Sequence, residues 1–143
     1  MTAALLAAFT ATAAALQMDQ QALADKLVRL HVVANSDTEE DQALKLKVRD
    51  AVLTVVDGLN RDELQSNLPM IRNAARDCLR GQGSNYSVEV TLQKERFPTR
   101  AYESFSLPAG VYTALRVTIG EGGGRNWWCV AFPSICFRAS TKS

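Results

Sequence analysis

The chain has 143 residues, 47% of them hydrophobic and 22% charged, with 16 Lys+Arg against 15 Asp+Glu. That is apolar material for one folded domain and excludes a disordered chain, while a net charge of +1 gives no general pull toward nucleic acid or anionic lipid. One His and three Cys leave little for a metal site, which normally takes about four N, O or S ligands.

The stretch Met1–Leu16 is almost wholly Ala, Leu, Phe and Thr, and no charged side chain precedes Asp19. It is shorter than the roughly 20 apolar residues of a membrane span. Small residues at Ala11-Thr12-Ala13 and Ala13-Ala14-Ala15 suit signal peptidase. Residues 1–18 therefore predict an export signal or a truncated membrane segment, with an Ala-rich amphiphilic helix as the alternative. Residues 19–143 predict a single domain.

From Val28 to Ala34 apolar side chains alternate with Arg29, His31 and Val33, the period of a half-buried strand. Ser36 with Glu39 reads as a capping box opening a helix to about Val56, and Glu39, Glu40 and Asp41 suit its positive end. Leu44, Val48, Val52, Val55 and Val56 form its inner stripe, and Gly58 its C-terminal cap. Asn60 with Glu63 predicts a short helical turn. Pro69 then opens a helix to about Arg80, with Met70, Ile71, Ala74, Ala75 and Cys78 facing inward.

The second half is strand-like. Tyr86, Val88, Val90 and Leu92 alternate with polar neighbours, as in an antiparallel sheet with one wet face. A long connection punctuated by Pro98 and Pro108 leads to a strand whose inner face is Val111, Thr113, Leu115, Val117 and Ile119. Gly120–Gly124 reads as a flexible hairpin turn and 127–132 as the returning strand. The expected fold is α+β: a small, mainly antiparallel sheet, built from one strand, two or three helices and then three strands, with the helices on one face.

Chemistry-bearing residues are sparse. The glycine-rich turn lacks a third glycine at Arg125 and leads into a strand, so it has no helix N-terminus to hold a phosphate. His31 is the one imidazole, and no G-x-S-x-G elbow accompanies it, so a sheet histidine is favoured over a general base. Outside the cytosol, Cys129 and Cys136 can close a short disulfide loop; the alternative is two buried thiols. Cys78 fits a small core residue. Trp127 and Trp128 are adjacent on a strand and so point to opposite faces, one buried and the other covered by a helix or exposed as an anchor.

Several runs together resemble stage II sporulation protein R: residues 29–37 (RLHVVANSD), 41–52 (DQALKLKVRDAV), 97–100 (FPTR) with Tyr102, and 107–110 (LPAG) with Tyr112. Residues 114–117 (ALRV), 126–130 (NWWCV), Phe132-Pro133 and Cys136-Phe137 complete the set, in order, from about residue 28 to 137. The resemblance implies a forespore protein exported to the space between the forespore and mother-cell membranes. There it triggers a membrane-embedded aspartic protease to process a mother-cell sigma-factor precursor. It implies a signal rather than an enzyme, with no catalytic residues, no cofactor, no metal, no nucleic acid, no small-molecule substrate, and proximity to a membrane. A partner-binding surface is expected at Asn35, Asp37, Phe97, Arg100, Tyr102, Asn126, Trp127 and Trp128, because contact surfaces use aromatic anchors with a few oriented polar groups. Two rival readings are a small extracytoplasmic hydrolase using His31 and a wall-glycan binding module stacking sugar on an exposed Trp.

Overall fold

The computed structural model describes residues 22, 24–102 and 106–132. The expected export segment and Cys136 lie outside the described residues. A short helical turn at 24–26 precedes strand β1, Val28–Val33. Helix α1 spans Glu39–Val56, two single 3-10 turns cover Arg61–Glu63 and Gln65–Asn67, and helix α2 spans Leu68–Gly81. Strand β2 (Val88–Phe97) follows, then a two-stranded ribbon of β3 (Arg100–Ala101) and β4 (Ser106–Leu107), β5 (Gly110–Ile119) and β6 (Asn126–Phe132). This is the expected α+β order, and the four-stranded sheet is ordered β2-β5-β1-β6.

Two of the three strand pairings in that sheet are antiparallel, β2 with β5 and β6 with β1, whereas β1 runs parallel to β5. That placement corrects two expectations. First, β1 is not half-buried: it lies between β5 and β6, and every residue but His31 is buried. An interior strand covered on both faces loses its wet side, so alternation understates its burial. Second, Gly120–Gly124 is not a hairpin turn, because β5 and β6 are separated by β1. The segment instead carries the chain across the end of β1. Gly120 (φ 57°) and Gly122 (φ 65°) adopt left-handed conformations, and Gly123 and Gly124 donate N–H bonds to the carbonyls of Asn35 (3.1 Å) and Ala34 (2.9 Å).

Helix α1 begins at Thr38, whose hydroxyl accepts from the Asp41 N–H at 3.2 Å. Ser36, expected as the cap, donates instead to the Asp41 carboxylate at 2.6 Å. The inward stripe is Val48, Val52, Leu53 and Val56, with Leu44 and Val55 at its margins. The helix closes at Asp57, and Gly58 does not take the left-handed conformation expected of a capping glycine. In α2, Pro69 sits in the first turn as anticipated, but the buried row is Ile71, Ala75 and Leu79. Met70 is 43% exposed, and Ala74 and Cys78 are only half-buried. The stripe is rotated by one residue, since 71, 75 and 79 lie along one helix face and 70, 74 and 78 along its neighbour. These side chains meet Leu30, Val32, Leu115 and Val117 in one core. Each fully buried leucine there contributes roughly 1.5–3 kcal/mol of transfer free energy.

Candidate functional site

Strand register sorts the sheet into two faces. Val32 pairs with Trp127 and Leu30 with Cys129, so these residues share the face covered by the helices. His31 pairs with Trp128, and Arg29 with Val130, on the opposite face. On that same face β2 presents Glu95 and Phe97, opposite Tyr112 and Gly110 of β5. The alternation thus places an aromatic and charged cluster on the side of the sheet away from the helices.

At the centre of that cluster His31 Nδ1 lies 2.9 Å from Glu95 Oε2, and Nε2 lies 2.9 Å from Asn126 Oδ1. The imidazole meets the Phe97 and Trp128 rings edge-on, with centroids 6.0 and 5.7 Å away. Glu95 also faces Arg116 at 3.6 Å. Arg29 is completely buried, its guanidinium carbon 4.2 Å from the Phe97 centroid and 4.8 Å from that of Tyr112. One guanidinium nitrogen donates to the Tyr102 hydroxyl at 3.5 Å; Nε and Nη1 have no hydrogen-bond partner among the described residues. Stacking between two electron-rich ring faces is what compensates this cation. The Tyr102 hydroxyl donates onward to the Trp128 carbonyl at 2.9 Å, which ties the ribbon to β6.

Trp127 lies on the other side of β6. The Arg49 guanidinium of α1 covers its ring at 4.5 Å, while that of Arg100 lies over Trp128 at 5.2 Å. Both indoles are half-buried, so the expected division into one buried ring and one covered or exposed ring does not hold: neither is fully buried and neither is fully exposed. Both indole N–H groups and Arg100 Nε are nevertheless buried without an acceptor among the described residues. Between α1 and the start of β6 runs a groove of about 300 Å³, lined by Gln42, Ala43, Lys45, Leu46, Arg100, Arg125, Asn126 and Trp127.

The structure therefore gathers Phe97, Arg100, Tyr102, Asn126, Trp127 and Trp128 around β6 and divides them between its two faces. Asn35 and Asp37 stand apart, in the turn after β1. Asn35 Oδ1 accepts from the Glu121 N–H at 3.0 Å, and its amide donates to Asp41 at 2.9 Å. Asp37 Oδ1 accepts from the Arg125 N–H at 2.8 Å and lies 3.5 Å from Arg125 Nε. These two hold the glycine segment and the entry to β6. Hydrogen bonds from Ser36, then Asn35, hold the Asp41 carboxyl below its ordinary 3.8 despite its desolvation. The same Asp41 accepts from the Tyr86 hydroxyl at 3.3 Å, and that bond pushes the Tyr86 phenol upward.

Sequence reasoning missed Arg29, Lys45 and Glu95. Glu95 was readable, since it shares strand parity with Phe97 rather than with Val88, Val90 and Leu92. Lys45 and Arg29 carried no such signal, because buried cations look like surface residues in a pattern of polarity. Of the cysteines, Cys129 is buried and is not among the free thiols, whereas Cys78 is free, its thiol pushed up by burial.

The sequence profile of the family described as Stage II sporulation protein R matches residues 24–142. The protein of that name from Bacillus subtilis (strain 168) is 40% identical over 123 residues, which cover 79% of this chain and 54% of the relative. The chain thus spans about half the length of that curated relative. No solved structure matches it.

Proposed function

Since the chain belongs to the stage II sporulation protein R family and so serves spore formation, we propose that it is an exported signal that acts by protein–protein contact. In this reading it is made in the forespore and reaches the space between the forespore and mother-cell membranes. There it turns on a membrane-embedded aspartic protease, which trims a mother-cell sigma-factor precursor. It does so by binding the active state of the protease more tightly than the inactive one. A disulfide between Cys129 and Cys136 belongs to the same proposal and suits an oxidising compartment.

The observation that carries this reading is the convergence on β6 of aromatic side chains with buried donors that lack acceptors among the described residues, at Arg100 Nε and both indoles. A partner surface supplying acceptors would satisfy them, and such groups give contacts their specificity. A signalling role also fits the sparse catalytic equipment, with His31 held between Glu95 and Asn126.

The test supplies the full chain on the outer face of cells that make the protease and its precursor, and compares it with the same chain confined to the cytosol. Processing is expected only in the first arrangement. Folded Trp128→Ala and Arg100→Ala variants are expected to reduce it by roughly tenfold or more. Equal processing from the cytosol, or full activity in both variants, overturns the proposal.

A further inference from the structure

The groove between α1 and β6 holds more positive charge than its surroundings neutralise. Lys45 and Arg125 line it, Arg100 enters from the ribbon, and among the described residues no acidic side chain is in its lining. Arg125 is paired with Asp37, and neighbouring Arg49 with Asp50 at 2.9 Å. Lys45 and Arg100 have no carboxylate partner among the described residues. Lys45 is 6% exposed, and its ammonium bonds only to neutral oxygens, Gln42 Oε1 at 2.6 Å and the Arg125 carbonyl at 3.3 Å. Burial, and then the charge of Arg125, pull this ammonium below its ordinary 10.5, against the opposing pull of the nearby Asp37 carboxylate. Bringing cations together in a partly desolvated groove costs stability unless an anion enters.

Trp127 and Arg100, which both line the groove, each carry a buried donor, Nε1 and Nε, without an acceptor among the described residues. Beside them Ala43 and Leu46, the latter 38% exposed, form an apolar shoulder.

We propose that this groove receives an acidic segment of the partner protein, with a Glu or Asp carboxylate held by Lys45 and Arg100 and an adjacent apolar side chain resting on Leu46. Charge complementarity favours this occupant, because a carboxylate accepts from ammonium and guanidinium donors alike, and hydrogen bonds between charged groups are the strong class. The inference deepens the activator reading and rests on it for the identity of the partner.

The test uses the full chain and a short peptide alternating glutamate with leucine, followed by the 15N-labelled indole resonances and by calorimetry at low salt. The glutamate peptide is expected to bind and to move the Trp127 indole N–H signal. Its glutamine counterpart is expected to bind roughly tenfold more weakly or worse. Lys45→Met retains the aliphatic stem, and Arg100→Gln changes a half-buried position; each is expected to weaken peptide binding by a similar factor. Arg72→Gln, at an exposed position of α2 outside the groove lining, is expected to leave it unchanged. Equal binding of the two peptides, unchanged binding in both groove variants, or preferential capture of inorganic phosphate at the same donors would each overturn the acidic-segment proposal. Should the peptide bind as expected while the exported chain elicits no processing, the groove stands and the activator reading falls.

Discussion

Asp41 shows how one side chain organises a turn. It receives hydrogen bonds from Ser36, Asn35 and Tyr86, and its own N–H caps onto Thr38, so β1, α1 and the segment before β2 meet at one carboxylate. Those donors favour the ionised form and hold the folded-state pKa below the ordinary 3.8. A carboxyl whose pKa is lowered by folding contributes stability that is complete above 3.8 and is lost as pH falls from there toward the lower folded-state value. Urea unfolding measured across that acidic window should therefore show a declining midpoint, and Asp41→Asn should flatten the decline while lowering the midpoint at neutral pH. The sequence disclosed the polar cluster at residues 35–41 but not its centre. Ser36 with Glu39 satisfies the spacing of a capping box, yet the helix starts later because Thr38 is the residue that reaches the Asp41 N–H. Arg29 was hidden for a different reason: on a strand it occupied the position of an outward residue, and the Phe97 and Tyr112 rings and the Tyr102 hydroxyl, all distant in sequence, make burial of its charge tolerable.

Among the elements, the glycine segment between β5 and β6 has a conformation fixed by its neighbours. A Cβ placed on Gly120 would collide with the Asn35 side chain, and one on Gly124 with the Ser36 backbone. Gly120→Ala combines that overlap with a left-handed backbone and should cost at least about 1 kcal/mol, read as a lowered urea midpoint. An unchanged midpoint would mean that the turn is as pliable as a hairpin loop. The helices were legible because their periodicity and Pro69 are local signals; what failed was rotation by one position in α2, which depends on where β2 lies. Strand existence was also local, since alternation in β2 and β5 needs no partner to be seen. Strand adjacency was not, because a run of glycines between two strands fits a hairpin and a crossover equally well.

For the whole molecule, burial is greatest in the middle of the sheet and falls toward β2, whose outward side chains are mostly exposed. Amide hydrogen exchange should accordingly be slowest in β1, which is paired on both sides, and faster along the outer edge of β2. Exchange in β1 as rapid as at that edge would contradict the order β2-β5-β1-β6. The candidate surface follows the same geometry: six of its eight expected residues gather at β6, while Asn35 and Asp37 serve mainly to tie the turn that delivers β6 to its place. Their grouping was legible only through family resemblance, because nothing in the spacing of residues 97–102 and 126–128 places them side by side.

The position of β1 has a kinetic consequence. Val28 finds its lateral neighbours in Thr113 and Phe132, near the far end of the described chain. A polypeptide emerging from its N-terminus has no template against which to zip its innermost strand until those late residues arrive. The interior of the sheet therefore closes only after its last strand has been made, whatever helices form earlier, so completion of the fold waits on the C-terminal half.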